Sequence, residues 1–548
     1  MKEQRDKLPE NTISYYHQIK EKIESEELEA LFVDNVTEQL STELLLICKS
    51  QAISRIVENF INCYNFSRKH VISLINCVKE DWISFSSHRF SSHVAQTLIK
   101  RVVTTMDDND TSDSELTNLI ITIFTSFMQD IEENVLHCYM SHVIRAFIEI
   151  LTNSNYNRDL LHGKDTIKYK KNVTTKKTSN LCSSESESII NVFTARLFNL
   201  PNIDELCINP VANPVIQTVL LSNSFKTQNN ITLLKSFIES ISSGKIGFSK
   251  IMSDRVGSIL IENLFKIMTD KMKSKFYKSY IKHEIEVFQS DKLMHNILKG
   301  FILYANAKQT KRILKLIEIS VILDNKNFVL LSTMSQKLFD LKELDLTNLF
   351  IQKIMDEFEC KEVNSDLLYY ILSMKRPNQL KENFKSDILE NRQATYYGSI
   401  ILQNLINLEC EKISLVLINE RNDLFVKWCN NGLASRVIDV LLKSSNKEIL
   451  LSIHEKLMTL SVQLSTSPCG SRIMDKLFED CTYETFKSIA NKLSKRASKI
   501  SNDKYGRFIW KRLNIELYSK NIKQWECKFN LKQKPKFKKS HNKKNLKL

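Results

Sequence analysis

Glycine and proline are scarce in this chain, with only 9 Gly and 7 Pro among 548 residues. Ordinary proteins contain roughly 7% glycine and 5% proline. Because both residues interrupt regular helices and mark special turns, a chain with so few of them suits long helices joined by simple connections. The composition therefore predicts an all-α fold.

Long apolar runs are also missing, although 42% of the residues are hydrophobic. No run approaches the roughly 18 apolar residues that a membrane-spanning helix needs. The first residues, MKEQRDKLPE, contain no apolar segment of the kind found in secretory signals. We therefore expect a soluble intracellular protein that has no membrane partner.

The sequence lacks the short motifs that carry common enzyme chemistry. A GxGxxG or GxxxxGK[ST] phosphate loop, a GxSxG elbow and an HExxH helix are all absent. The 12 cysteines form no CxxC pair and show no Cys/His metal spacing. We expect them to be small apolar side chains in a reducing compartment, and we expect no enzyme activity, no cofactor and no metal site.

Positive charge is in excess, and much of it is concentrated at one end. The net charge is +15, and the segment from Lys520 to Leu548 contains eleven Lys and one Glu. Its last part has no helical period, which predicts a disordered tail. Such a tail is typical of a nuclear or nucleolar address or of a non-specific nucleic-acid arm, and it can also be simply solubilising.

What the sequence does contain is a repeat. The segments YYGSIILQNL, GLASRVIDVL, PCGSRIMDKL and KYGRFIWKRL return at a spacing of 36 residues, with Ser399, Ser435, Ser471 and Arg507 at equivalent places. We call these residues anchors. A fixed period of this length is typical of a solenoid, in which each repeat buries its apolar face against the next one.

The repeat can be traced towards the N-terminus. Earlier anchors are Ser54, Ser92, Ser141, Asn213, Ser258 and Asn296, with weaker matches at Ser332 and Ser365. This series predicts ten to twelve repeats, preceded by a helical cap over residues 1–40 and divided into 41–151 and 189–517 by a polar, disordered insertion at 152–188. The basic tail would then cover residues 518–548.

Three positions of each repeat are candidates for a shared binding surface. Counting the anchor as the first position, the first, second and fifth positions lie on one side of a helix, whereas the third and seventh are apolar and point the other way. Short polar groups beside a flat ring or a guanidinium suit hydrogen bonding to a base edge and stacking on it. The candidate RNA-binding residues are Ser54, Arg55, Glu58, Ser92, His93, Gln96, Ser141, His142, Arg145, Asn213, Gln217, Ser258, Glu262, Ser399, Gln403, Ser435, Arg436, Asp439, Ser471, Arg472, Asp475, Arg507, Phe508 and Lys511.

This arrangement resembles the pumilio (PUF) repeat, in which one helix per repeat reads about one RNA base. The segments LPENTISYYHQI, HRFSSHVAQTLI, NPVANPVIQTVL and KYGRFIWKRLNIELYSKNIKQWE resemble, more narrowly, the nucleolar pumilio-like family called nucleolar protein nine. This similarity spans nearly the whole chain. The alternative is a protein-binding scaffold of the HEAT or armadillo kind, whose repeats run about 40 to 47 residues.

The resemblance implies a C-shaped α-solenoid that binds precursor ribosomal RNA in the nucleolus. It also implies a role in small-subunit assembly: binding of spacer RNA near the 3′ end of the small-subunit RNA, and restraint of the endonuclease that cuts there. The implied partners are small-subunit pre-ribosomal particles and their assembly factors, and we expect a monomer outside the particle. By pumilio analogy, Asn213 with Gln217 suits uracil, Ser92 with Gln96 adenine, and Ser258 with Glu262 guanine.

Overall fold

The computed structural model describes residues 8–25, 28–105, 114–152, 184–222, 228–408 and 410–532, and these residues form helices and short connections without a strand. The chain divides into two compact units, residues 1–277 and 278–548. Within the described ranges, no helix is long and apolar enough to cross a membrane. The predicted all-α fold is confirmed.

The first unit contains sixteen helices among its described residues, and a π-helical turn at Tyr277–Ile281 follows the last of them. They are α1 (Glu10–Glu24), α2 (Ala30–Ile47), α3 (Gln51–Ile61), α4 (Arg68–Val78), α5 (Trp82–Ser87), α6 (Ser91–Thr105), α7 (Ser114–Ser126), α8 (Ile131–Leu136), α9 (Met140–Leu151), α10 (Ser184–Phe198), α11 (Ile203–Ile208), α12 (Asn213–Leu221), α13 (Gln228–Ser243), α14 (Gly247–Ser253), α15 (Arg255–Ile267) and α16 (Asp270–Phe276).

The second unit continues the series and includes one short 3₁₀ helix at Pro377–Gln379. Its helices are α17 (Ile285–Ser290), α18 (Met294–Tyr304), α19 (Ala307–Leu316), α20 (Ile319–Asp324), α21 (Val329–Leu341), α22 (Leu344–Glu357), α23 (Ser365–Ser373), α24 (Phe384–Glu390), α25 (Tyr396–Asn407), α26 (Glu411–Ile418), α27 (Asn422–Asn430), α28 (Ser435–Leu441), α29 (Lys447–Thr459), α30 (Ser461–Ser465), α31 (Pro468–Asp480), α32 (Tyr483–Ser494), α33 (Ala497–Ser501), α34 (Gly506–Leu513), α35 (Ile515–Lys520) and α36 (Ile522–Lys532).

Most repeats consist of three helices. A short helix packs against the helix that carries the anchor, which we call the anchor helix, and a second long helix, the backing helix, follows it. In the first unit the successive anchor helices α3, α6, α9, α12 and α15 pack side by side. In the second unit α18, α21, α25, α28, α31 and α34 do the same, so the described residues contain eleven anchor helices.

Each anchor helix begins in the same way. The main-chain N–H of the anchor donates to the carbonyl oxygen four residues earlier, over 2.9 to 3.2 Å. In most repeats that earlier residue also accepts bonds from the free N–H groups of the first turn with its own side chain, which satisfies donors that a helix start otherwise leaves unpaired. The capping residues are His88, His137, Asn209, Asp254, Asp291, Thr395, Asn431, Ser467 and Asp503.

Backing helices of the second unit are joined by a recurring lysine contact. Lys353 donates to the carbonyl oxygen of Ile317 over 2.8 Å, and Lys456 donates to that of Glu420 over 2.7 Å. Lys492 makes the equivalent contact with Met458 over 3.3 Å. Partial burial lowers the pKa of both Lys353 and Lys456. A cation near the carboxyl end of the preceding backing helix satisfies carbonyl groups that this end leaves unpaired.

The glycines that precede several anchors are required by close packing. Gly398 lies inside α25, and a Cβ added there would collide with the carbonyl oxygens of Ile371 and Leu372 in α23. The equivalent Gly257 faces the carbonyl oxygen of Ile251 in the same manner. These glycines therefore permit the short helix and the anchor helix to touch.

We predict that Gly398→Ala destabilises the second unit by about 1–3 kcal/mol, because the added methyl group must displace main-chain atoms. Gly432→Ala is the matched control, since a Cβ at Gly432 meets no atom within 4 Å. Urea unfolding of the two variants measures the difference. Equal loss of stability in both would contradict the packing explanation.

Two anchor assignments from the sequence, Asn296 and Ser365, need correction. At the sixth repeat the capping residue is Asp291, and His295, not Asn296, donates to its carbonyl oxygen, so the pattern starts one residue earlier. In agreement, Ile297 is fully buried and belongs to the apolar side of α18. The anchor at Ser332 is regular, because α21 carries Thr333 and Gln336 at the second and fifth positions.

Ser365 is not an anchor. It begins α23, where its hydroxyl contacts the carboxylate of Glu420 and accepts from Lys385 over 2.8 Å. Helix α21 packs directly against α25, so no anchor helix lies between them. Residues 358–395 thus form one enlarged connection, which explains the gap of 67 residues between Ser332 and Ser399.

The helical body continues beyond the predicted start of the tail at residue 518. Trp525 in α36 is buried, donates its indole N–H to the carbonyl oxygen of Leu513 over 2.7 Å, and stacks on Phe486. These contacts of the buried indole ring hold α36 against the last repeat. Residues 533–548, and residues 153–183 of the predicted insertion, lie outside the described residues.

Candidate nucleic-acid interface

Nine of the eleven anchors are buried, whereas His295 is partly exposed and Arg507 is exposed. Ser54, Ser92 and Ser141 are each 2% exposed, and Ser399 is 1% exposed. Several anchor hydroxyls donate to the carbonyl oxygen three residues earlier, as Ser92 does to Arg89 over 3.3 Å. The sequence predicts three side chains per repeat on the shared surface, whereas in most repeats of the unbound protein the first is covered by neighbouring atoms and the second and fifth remain accessible.

The second positions supply the exposed side chains. In the first unit they include Arg55, His93 and His142, and in the second unit Arg436, Arg472 and the 58% exposed Phe508. The guanidinium of Arg507 lies over the ring of Phe508, with its carbon 5.0 Å from the ring centroid. Flat rings and guanidinium groups are the side chains on which unpaired bases stack.

The fifth positions lie at the edge of this surface and are partly exposed in most repeats. Gln96 donates to the carbonyl oxygen of its anchor Ser92 over 3.2 Å, and Gln403 does the same to Ser399 over 3.1 Å. Two repeats far apart in the chain therefore hold the same glutamine in the same way. Each amide keeps its oxygen available as an acceptor on the accessible side.

Partial burial shifts the pKa of two charged side chains at fifth positions. Burial raises the pKa of the Glu58 carboxyl, although nearby His93 and Arg55 act in the opposite direction. Burial also lowers the pKa of the Arg145 guanidinium, whose terminal nitrogen contacts the His142 ring. Both groups thus lie where water is partly excluded, which strengthens any hydrogen bond that a ligand makes there.

The fourth repeat, whose anchor is Asn213, is different because its candidate residues Asn213 and Gln217 are buried. Asn213 and Gln217 are 0% and 3% exposed, and the amide of Gln217 bonds to that of Asn213. Asn263 of the next anchor helix donates to the Gln217 oxygen over 2.7 Å. The second position is Pro214, which offers no flat group for stacking. This network joins α12 to α15 and leaves little of either amide for a base.

We predict that Gln217→Ala lowers the free energy of unfolding by about 1–3 kcal/mol, since the buried side-chain amides of Asn213 and Asn263 each lose the hydrogen bond that they make with Gln217. It should leave the base preference of the protein unchanged. Gln96→Ala is the matched control, because Gln96 is partly exposed and its side chain bonds to its own anchor within the same helix. Denaturant unfolding and a binding selection on both variants measure these effects, and a preserved stability in Gln217→Ala would contradict the buried network.

The fifth positions of the ninth and tenth repeats form ion pairs with the following anchor helix. The carboxylate of Asp439 pairs with Lys476, and Asp475 Oδ1 lies 3.1 Å from Arg512 Nη1. In both cases the partner occupies the sixth position of the next repeat, as Asn263 does beside Gln217. Each of these contacts therefore joins a fifth-position side chain of one anchor helix to a sixth-position side chain of the next.

Sequence reasoning missed several residues of this surface. The corrected anchors add His295, Asn296 and Lys299, and the repeat at Ser332 adds Gln336, whereas its second position, Thr333, is buried. The capping residue Asp291, four residues before His295, is the sequence signal that identifies the correct register. The sixth-position partners Lys476 and Arg512 were missed because they belong to the neighbouring repeat.

Comparison with known proteins agrees with this description. Residues 42–508 match the NOP9-like PUF repeat domain. Nucleolar protein 9 of Vanderwaltozyma polyspora is 24% identical over 96% of this chain and 85% of its own length, and that of Saccharomyces cerevisiae S288c is 24% identical over 95% and 85%.

A solved structure of APUM23-GGAGUUGACGG has the same fold, with a TM-score of 0.74 at 16% identity over 96% of this chain and 100% of that one. APUM23-GGAAUUGACGG gives a TM-score of 0.71, also at 16% identity, over 96% and 100%. The pumilio-repeat solenoid expected from the sequence is confirmed. Because the family match covers most of the described repeats, the chain belongs to the NOP9-like PUF repeat family.

Proposed function

We propose that this protein binds single-stranded RNA along the surface formed by its anchor helices, and that it acts on precursor ribosomal RNA in the nucleolus. The observation that carries the proposal is the recurrence, on adjacent anchor helices, of an exposed flat or cationic second-position side chain beside a polar fifth-position one. Stacking holds a base in place, and the polar group then hydrogen-bonds to its edge.

Charge supports the same conclusion. The net charge of the chain is +15, and the second positions of the last three repeats include Arg436, Arg472 and Phe508, with Arg507 beside the last one. An RNA strand carries one phosphate per nucleotide, so cations placed between bases gain from nearby phosphates as well as from stacking.

The names of the relatives support the proposed site of action, since both relatives described above are named Nucleolar protein 9. We infer a nucleolar protein that binds spacer RNA near the 3′ end of the small-subunit RNA and restrains the endonuclease that cuts there. It would act within small-subunit pre-ribosomal particles, contact their assembly factors, and be a monomer outside them. The candidate trios from Ser54 to Lys511 are its proposed RNA contacts, with the fourth repeat contributing least.

Salt dependence of binding is the first test. For single strands, affinity falls by about 0.7 log units per phosphate contact for each tenfold rise in salt. With about five contacts, a rise from 50 to 200 mM salt should weaken binding about 100-fold. Fluorescence anisotropy with labelled spacer RNA measures the slope. A flat response, or equal binding of an unrelated acidic protein, would favour a protein-binding scaffold.

Cleavage of precursor RNA tests the proposed restraint. Purified endonuclease should cut the spacer more slowly when the full-length protein is present in excess over its dissociation constant. A variant that lacks second-position side chains should not slow the reaction. Unchanged cleavage in the presence of bound wild-type protein would contradict the restraint while leaving RNA binding intact.

A further inference from the structure

Two adjacent anchor helices of the second unit present the same set of side chains. Ser435, Arg436 and Asp439 on α28 are repeated 36 residues later as Ser471, Arg472 and Asp475 on α31. The two helices pack directly against each other. Both serines are buried and both arginines are exposed. If the surface reads bases, identical sets in neighbouring repeats must favour the same base twice in succession.

Each aspartate of these sets is held by a cation from the next anchor helix. Lys476 pairs with Asp439, and Arg512 pairs with Asp475 over 3.1 Å. The partners stand at equivalent sixth positions, so the contact repeats together with the trio. Arg512 also lies 3.9 Å from Glu479, a weaker second contact.

The ion pairs remain accessible to a ligand. The side chains of Asp439 and Lys476 are 26% and 41% exposed, and those of Asp475 and Arg512 are 41% and 40% exposed. A carboxylate has about four acceptor sites on its two oxygens, so pairing with one cation leaves others open. The cation also offsets the negative charge, which would otherwise repel an RNA strand.

The chemistry of the four bases decides which one fits. On its pairing edge, guanine alone presents two adjacent donors, the N1–H and the N2 amino group, beside an acceptor, O6. A carboxylate accepts two parallel bonds of this kind, as it does from the arginine fork. Adenine, cytosine and uracil each offer at most one donor group on that edge, so they leave one carboxylate oxygen unpaired.

We propose that the ninth and tenth repeats read two consecutive guanines, an inference that rests on the proposed RNA-binding function. Asp439 and Asp475 accept from N1–H and N2–H of successive guanines, while Lys476 and Arg512 donate to the O6 atoms. The guanidinium groups of Arg436 and Arg472 stack on the bases. Lys476 and Arg512 are thus specificity residues supplied by the neighbouring repeat.

The test begins with selection of RNA from a random 12-nucleotide library by the full-length protein. We expect two consecutive guanines in the selected sequences. Inosine, which lacks the N2 amino group, is then placed at each guanine in turn, and each substitution should weaken binding about tenfold, within the range of a good bidentate contact. Replacement by 7-deazaguanine, which keeps the whole pairing edge, should leave affinity unchanged.

Variants connect each guanine to its aspartate. In Asp475→Ala the inosine penalty should vanish at one of the two positions and persist at the other, and Asp439→Ala should give the reverse. Arg512→Gln should weaken binding of guanine at the Asp475 position and leave the other position unaffected. Gln403→Ala, in the repeat that precedes these two, is the matched control and should preserve both penalties.

The outcomes separate this inference from the function on which it rests. Binding of library RNA without consecutive guanines, or an inosine penalty that persists in both aspartate variants, would overturn the guanine assignment alone. Equal binding of inosine and guanine by the wild-type protein would do the same. Failure to bind any RNA of the library would overturn the proposed function and this inference together.

Discussion

Phe147→Ala should destabilise the first unit by about 3–5 kcal/mol, the cost expected when a fully buried aromatic side chain leaves a cavity. Phe147 is 0% exposed and its ring lies among three others, with centroids 5.8 Å from Trp82, 5.8 Å from Phe124 and 5.7 Å from Phe127. These rings come from the short helix α5, from the backing helix α7 and the turn that follows it, and from the anchor helix α9. The substitution therefore removes contacts that join all three layers of adjacent repeats.

Denaturant unfolding followed by tryptophan fluorescence measures this effect, since Trp82 reports directly on the cluster. Solenoids need not unfold in one step, so the first unit can open before the second. Phe508→Ala is the matched control, because the same change at a 58% exposed residue leaves no cavity and should alter stability by less than about 0.5 kcal/mol. Similar midpoints for the two variants would contradict the described core.

Simultaneous replacement of Arg436, Arg472 and Phe508 by alanine should weaken RNA binding at least about 100-fold. Each side chain lies at an exposed second position on the anchor helices of the second unit. Stacking of a base on such a group contributes about 1–3 kcal/mol, so the loss of three such contacts exceeds the roughly 2.7 kcal/mol that corresponds to 100-fold. The helices should stay intact, because none of the three side chains is buried.

The control removes more charge from a different surface. Lys308, Lys311 and Lys315 are exposed on the backing helix α19. If general attraction between a basic protein and RNA explained binding, their replacement by alanine would weaken it more than the loss of two arginines does. We expect less than a threefold change, measured by the same anisotropy titration. A larger loss in this control than in the test variant would place the RNA on the backing helices.

The repeat pattern could be predicted from the sequence because it depends on contacts within one helix. The apolar third and seventh positions, and the 36-residue spacing between successive anchors from Ser399 to Arg507, define the anchor helices without knowledge of their neighbours. The predicted register is wrong at Asn296, a polar residue that lies one place after the true anchor, His295. The cap at Asp291 would have decided between the two choices, since a capping side chain fixes where the helix begins.

Other features depend on contacts between repeats, which no local pattern contains. Ser365 matched the expected spacing, yet it belongs to an enlarged connection held by Glu420 and Lys385. The closed amide network of Gln217 needs Asn263, which is 46 residues away. Most anchors and the faces of the anchor helices could be predicted from the sequence. The residues that contact the fifth positions could not, because they come from the next anchor helix and depend on how adjacent helices pack.

Crosslinking of the protein to RNA in its own cells tests the central claim most directly. Bound fragments are sequenced, and the crosslinked peptides are mapped on the chain. We predict fragments concentrated beside the 3′ end of the small-subunit precursor RNA, joined to exposed second-position residues such as His93, Arg472 and Phe508. Crosslinks confined to backing helices, or an absence of RNA on the purified protein, would contradict the account.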